Sequence, residues 1–205
     1  MLKHILATAL IAFSASAANA NIISNGDFET GTFSSWTSTG NVGVARQSGQ
    51  GYYFGGGSVA QNGSALVAFN GGNGPTDGVI SQTFATSAGT EYLVEFDFGA
   101  TANGFQRVIA NILDSDGLML TSFNQALGQN PPVDLQHFSF TFFGNGESAT
   151  LQFIDVPGNN SINQDGLLDN VAVSAVPEPT SIALMGLGLL GFAASRRKAA
   201  RARNA

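Results

Sequence analysis

The stretch Glu91-Tyr92-Leu93-Val94-Glu95-Phe96-Asp97-Phe98 decides the fold class. Its residues alternate: Tyr92, Val94, Phe96 and Phe98 fall on one side, Glu91, Leu93, Glu95 and Asp97 on the other. Successive side chains of an extended chain point to opposite faces, so the octet reads as a strand with one face in a core. Similar runs occupy 79–84, 107–113, 118–123, 136–143, 149–154 and 168–174, and 65–69 is a further candidate. Asp114-Ser115-Asp116-Gly117 and Gly144-Asn145-Gly146 read as turns, because Gly and Asn tolerate positive φ. Short strands without an amphipathic helix predict an all-β domain, a β-sandwich over residues 21–175. The rest of the glycine-rich stretch 49–74 reads as surface loop.

Both ends of the chain differ from this pattern. Lys3 and His4 precede an apolar run, 5–17, and Ala18 and Ala20 supply the small residues that signal peptidase needs. Residues 1–20 therefore read as a cleaved signal peptide, the run being shorter than the ~20 residues of a bilayer span. At the other end, Val176-Pro177-Glu178-Pro179 leads into an apolar segment, about 180–194, closed by Arg196, Arg197 and Lys198, with Arg201 and Arg203 beyond. A short apolar helix followed by cations halts translocation and keeps the cations in the cytoplasm. Residues 176–205 are thus expected to hold the preceding domain transiently at the outer side of the inner membrane through a single transmembrane helix.

The order of these three features, motif, apolar helix and basic tail, resembles the PEP-CTERM sorting signal of Gram-negative bacteria. The resemblance implies cleavage near Pro177-Glu178-Pro179 by an exosortase. It also implies delivery to the cell surface or extracellular matrix, with a part in extracellular polysaccharide, biofilm or floc formation. Once both ends are removed, Arg46 and Arg107 are the remaining cations of the 8 Lys+Arg, against 13 of the 14 acids, Glu178 leaving with the tail. Such a domain is repelled by phosphate backbones, which argues against nucleic acid as a partner. The chain has no cysteine, which excludes disulfides and thiolate chemistry.

The opening Asn21-Ile22-Ile23-Ser24-Asn25-Gly26-Asp27-Phe28-Glu29, with Trp36 after it, and the closing Gly166-Leu167-Leu168-Asp169-Asn170-Val171-Ala172-Val173 carry a second resemblance. They look like the first and last strands of galactose-binding-like jelly rolls, a group that includes carbohydrate-binding modules. That resemblance implies a structural calcium ion joining the two ends, with Glu29 and Asp169 at the matching positions and Asp27 able to help. The alternative is an Asx turn at Asp27 and solvated charges at the other two. Sugar binding calls for an aromatic platform, and Trp36, Tyr52 and Tyr53 are the candidates, with Trp36 also readable as core. Asp114 and Asp116 read as a turn, since the bidentate Glu of a calcium loop is missing. His137, the one histidine of the mature chain, alternates with strand phenylalanines and has no nucleophile elbow to serve. The expectation is a non-enzymatic surface protein that binds extracellular polysaccharide. A coat or matrix protein without a specific ligand, and a polysaccharide hydrolase, are the alternatives.

Overall fold

The computed structural model describes residues 20–46, 63, 65–70, 75–100, 106–127, 133–156, 166–177 and 188. Ala20–Val176 form one compact unit, and Met1–Asn19 with Pro177–Ala205 are assigned to another. The expected membrane helix, 180–194, lies outside the described residues apart from Gly188, which is helical. Among the described residues no helix is long and apolar enough to cross a membrane.

The strands are β1 (Thr37–Thr39), β2 (Val42–Arg46), β3 (Ala65–Phe69), β4 (Val79–Ala85), β5 (Glu91–Ala100), β6 (Gln106–Leu113), β7 (Met119–Leu127), β8 (Val133–Phe143), β9 (Ser148–Asp155) and β10 (Gly166–Ala175). They make two five-stranded antiparallel sheets, ordered β1-β4-β9-β6-β7 and β2-β3-β10-β5-β8. The all-β sandwich expected from the alternating runs is what forms. Along 91–98 of β5 the buried set is Tyr92, Val94, Phe96 and Phe98, as the period of two requires, and the last two residues, Gly99 and Ala100, are buried as well. Phe96 is the hub of the interior, packing its ring on Phe123, Phe138 and Phe153 at centroid distances of 5.8, 5.8 and 5.1 Å. Apolar burial of this kind, across both inner faces, supplies the main driving force for the fold.

The sequence did not suggest β1 or β2, which are short and weakly patterned. They are edge strands held by their neighbours: Thr37 pairs with Ser81 and Val42 with Phe69. The acidic group at Asp114 and Asp116 is the β6–β7 hairpin turn. Asp114 Oδ1 accepts from the amides of Asp116 (2.9 Å) and Leu118 (2.8 Å), and Gly117 takes a φ of 79°.

One expectation requires correction. Residues 21–29 form bends and turns in place of a first strand. The reason lies in β10, whose register with β5 shifts between Asp169 and Ala172, with Asn170 at a φ of 51°. β3 pairs with β10 only from Gly166 to Leu168. Beyond that point the N-terminal segment takes the open edge: Ile22 N–H donates to Val173 O (2.8 Å) and Val171 N–H to Gly26 O (2.9 Å). The Asn21 side chain acts there as a stand-in peptide, its Oδ1 accepting from Ile23 and Val173 amides, each at 3.0 Å. At the other end of β10, Val176 N–H donates to Glu91 O (2.8 Å), and Pro177 is exposed.

Candidate functional site

Among the described residues, several regions carry polar chemistry that the fold alone does not account for. The first lies where the N-terminal segment meets the bulge of β10. Asp169 is fully buried, its Oδ1 accepting from Asn170 N–H (2.7 Å) and its Oδ2 having no partner. Burial pushes its carboxyl up to about 7; the backbone bond from Asn170 opposes this, and the charges of Asp97, Glu29 and Asp27 add to it. The fold has therefore brought Glu29 and Asp27 from one end of the domain into electrostatic range of Asp169 at the other. Glu29 Oε1 accepts from Ala65 N–H at 3.0 Å, at the start of β3. Gly63 lies against that same oxygen at a φ of 97°, a conformation that favours glycine. Asp27 is exposed, and its Oδ1 faces Glu29 N–H at 3.4 Å, the geometry of an Asx turn. A cleft of about 370 Å³ opens here between Asn21, Asn25, Asp27 and Asn170.

The donor chemistry suits a hard cation: an unpartnered buried carboxylate oxygen with two further carboxylates near it. Among the described residues no group of three His, Asp or Glu side chains can by itself hold a metal. A cation at this place would take its remaining oxygens from backbone carbonyls and water.

Beside this region, on the outer face of the same sheet, His137 Nδ1 lies 2.9 Å from Asp97 Oδ1 and its Nε2 3.3 Å from Glu95 Oε1. Asn170 Nδ2 donates to Asp97 Oδ2 at 2.8 Å. The hydrogen bond to Asp97 is the largest influence and holds the imidazole above its ordinary 6.5. No hydroxyl or thiol nucleophile takes part in these contacts.

Of the aromatic candidates, Trp36 needs correcting as a sugar platform. It is 7% exposed, packs on Phe28 and Phe153 at centroid distances of 5.4 and 6.5 Å, and donates its indole N–H to Asn25 O (3.1 Å). The ring is part of the core and is not presented to solvent; Phe33 O accepts from Trp36 N–H (2.9 Å) at the turn that precedes β1. Tyr52 and Tyr53 lie outside the described residues, as do Glu178, Pro179, Arg196, Arg197 and Lys198.

The second region is the outer face of the β1-β4-β9-β6-β7 sheet, which the sequence reading did not single out. Register places Thr37, Ser81, Gln152, Asn111 and Ser122 in one row across all five strands. On β6 the alternate residues Val108, Ala110 and Ile112 belong to the core, so Asn111 points away from it. Asn111 is nevertheless only 5% exposed, and its Oδ1 has no hydrogen-bond partner. Beside this row run Val79, Ile154 and Ile109, ending on Asn124; on the other side Thr83 and Thr150 share a hydroxyl hydrogen bond of 2.8 Å. The available signal was the presence of amides, which are poor strand formers, at alternate positions of otherwise apolar strands.

Comparison with known proteins agrees with this architecture. Residues 175–198 match the PEP-CTERM protein-sorting motif. TmCBM61, whose structure was solved in complex with β-1,4-galactotriose, superposes at a TM-score of 0.55 with 17% identity, over 77% of this chain and 99% of its own. The enzymatically active domain of bacteriophage CBA120 tailspike protein 4 gives 0.53 with 15% identity, over 76% of this chain but 21% of its own. The α-L-arabinofuranosidase MgGH51 gives 0.53 with 10% identity, over 79% of this chain and 27% of its own. This chain therefore spans about a fifth to a quarter of the two enzymes and the whole of the carbohydrate-binding module. At such identities the likeness is one of fold. No curated protein matches the sequence. The protein is thus an exported one, sorted to the cell envelope by a PEP-CTERM motif, with the jelly-roll fold of carbohydrate-binding modules.

Proposed function

We propose that the processed protein binds extracellular polysaccharide at the cell surface through the outer face of the β1-β4-β9-β6-β7 sheet, without catalysing a reaction. The observation that carries this reading is Asn111: a buried amide oxygen without a donor, in a cross-strand row of hydroxyls and amides. Buried acceptors are normally satisfied, and the hydroxyls of a glycan are donors of the right kind. Neighbouring strands stand ~4.8 Å apart, so the row offers a regular ladder of polar groups to an extended chain. The Ile109, Ile154 and Val79 stripe beside it supplies apolar surface for the carbon-bound faces of the sugar. Tyr52 and Tyr53 remain the aromatic candidates for stacking.

In this reading the signal peptide directs export, an exosortase of a Gram-negative host cuts near Pro177-Glu178-Pro179, and the released domain joins a biofilm or floc matrix. The position of the motif supports it, since Val176 carries the final backbone bond to β5 and Pro177 is exposed. Calcium belongs to the same reading as a structural ion. Asp169 and Glu29 would hold it, with Asp27 assisting, and its charge would neutralise the buried Asp169 carboxylate while tying the N-terminal segment to β10.

The test is affinity electrophoresis through gels containing the producing organism's own extracellular polysaccharide. Retardation of the wild type, lost in Asn111→Leu and in Gln152→Ala while far-ultraviolet circular dichroism stays unchanged, is the expected result. Loss only in Tyr52→Ala or Tyr53→Ala would move the site to the glycine-rich loop. Free migration of the wild type would leave a matrix protein without a specific ligand as the better account.

A further inference from the structure

A second group of buried oxygens lies at the opposite end of β3 from Glu29, four residues and about 13 Å along the strand. Asn70 follows β3, Asp77 and Gly78 precede β4, Asp155 ends β9, and Asn41 joins β1 to β2. Three backbone-anchored bonds tie them together. Asn70 N–H donates to Asn41 O (3.0 Å), Asn41 N–H to Asp77 Oδ1 (2.7 Å), and Asp155 N–H to Gly78 O (2.9 Å). The approach is close: a Cβ on Gly40 would fall 2.0 Å from Asp77 O, and one on Gly78 would fall 2.7 Å from Asn41 O. Glycine at both positions is what lets the strand ends meet.

Asn70 is 1% exposed and Asp155 2%. Asn70 Oδ1 and Asp155 Oδ2 have no hydrogen-bond partner. Asp155 alternates with Leu151 and Phe153 on the inward side of β9, whereas Arg107, preceding the core residue Val108 that pairs with Asp155, is on the other face of its sheet. The unpartnered atoms are all acceptors, two of the side chains are carboxylates, and Asp77 is exposed, which provides an entry route. Asp155 faces inward and carries a carboxylate whose charge an oligosaccharide, being uncharged, would leave uncompensated. A small cation would neutralise it. Hard cations bind carboxylate, amide and backbone carbonyl oxygens in flexible numbers.

We propose that Asp155, Asp77 and the side-chain oxygen of Asn70 hold a hard divalent cation, calcium, at this end of the sandwich. The site is separate from the Asp169 and Glu29 site and goes beyond the sugar-binding reading. It would fasten the ends of β3, β4 and β9 around the connection from β1 to β2. Burial pushes the Asp155 carboxyl up to about 6, with the charge of Asp77 adding to it and the Val156 backbone amide opposing it; a bound cation would reverse that rise.

The experiment is isothermal titration of the chelator-treated full chain with calcium chloride. Wild type, Asp77→Asn, Asp155→Asn and Asp169→Asn are compared, with folding checked by circular dichroism. Asp77→Asn is isosteric and exposed, so it remains informative if Asp155→Asn fails to fold. Loss of about one calcium equivalent in Asp77→Asn and Asp155→Asn, with Asp169→Asn retaining that equivalent, is the expected result. If Asp169→Asn leaves the wild-type stoichiometry intact while the other two lower it, the Asp169 site fails and this one stands. An unchanged stoichiometry in folded Asp77→Asn overturns the proposal, and so does a wild type that binds no calcium.

Discussion

With calcium removed, the domain is expected to gain stability as the pH falls from 8 to 5, the reverse of ordinary acid destabilisation. The perturbed groups all act in one direction. Asp169 rises from 3.8 to about 7 and Asp155 from 3.8 to about 6. In each case the folded state binds its proton more tightly than the unfolded chain. Between pH 8 and 5 the folded state takes up protons that the unfolded state does not, so stability rises on acidification and the gain flattens only near the unfolded value. His137, held above 6.5, adds in the same sense, because its protonated form is favoured by the fold. At ~1.4 kcal/mol per decade of proton affinity, linkage between pH 8 and 5 gives a ceiling of roughly 2.5 kcal/mol for Asp169 and roughly 1.5 kcal/mol for Asp155. Relaxation of the surroundings about a buried charge lowers this by about half, leaving about 2 kcal/mol. For a domain of this size that corresponds to an increase in melting temperature of about 4–8 °C. The assay is urea denaturation in excess chelator at both pH values, for wild type and Asp169→Asn. The variant should lose more than half of the pH effect. A chelated wild type that is equally stable at both pH values, or less stable at pH 5, would refute the reasoning.

Phe96→Ala should cost about 3–5 kcal/mol, because the fully buried ring touches Phe123, Phe138 and Phe153; denaturant titration reads this directly. Gly26→Ala should cost about 1–3 kcal/mol, since a Cβ there would lie 1.9 Å from Val171 O and push the N-terminal segment off β10. Faster amide exchange at Val171 and Ile22 would show the lost pairing, and unchanged protection would count against it. Trp36→Ala should destabilise the domain by about 3–5 kcal/mol, so any loss of polysaccharide retention in that variant should track unfolding and disappear under conditions that restore the fold.

The sandwich was legible because alternation is a local property. In 91–98, and in most of the runs that became β4 to β10, a residue's face follows its parity, and most buried positions carry an apolar side chain. The export signals are linear too: a charged end, an apolar run and a short motif work in the unfolded chain and need no partners. The edge strands β1 and β2 escaped because their order comes from Ser81 and Phe69, residues distant in sequence. Trp36 was read in two ways because its composition context suits either a core or a platform. Only the packing of Phe28 and Phe153 decided between them. The same holds for the functional surfaces. The sequence by itself determined that acids exist at both ends of the domain and that amides interrupt its strands. Tertiary structure decided that Asp169 sits buried within electrostatic range of Glu29, that Asn111 aligns with Gln152 and Ser81, and that Asn70 meets Asp77 through Asn41. Register and strand order bring these groups together across separations of tens to more than a hundred residues, and no local pattern along the chain encodes either.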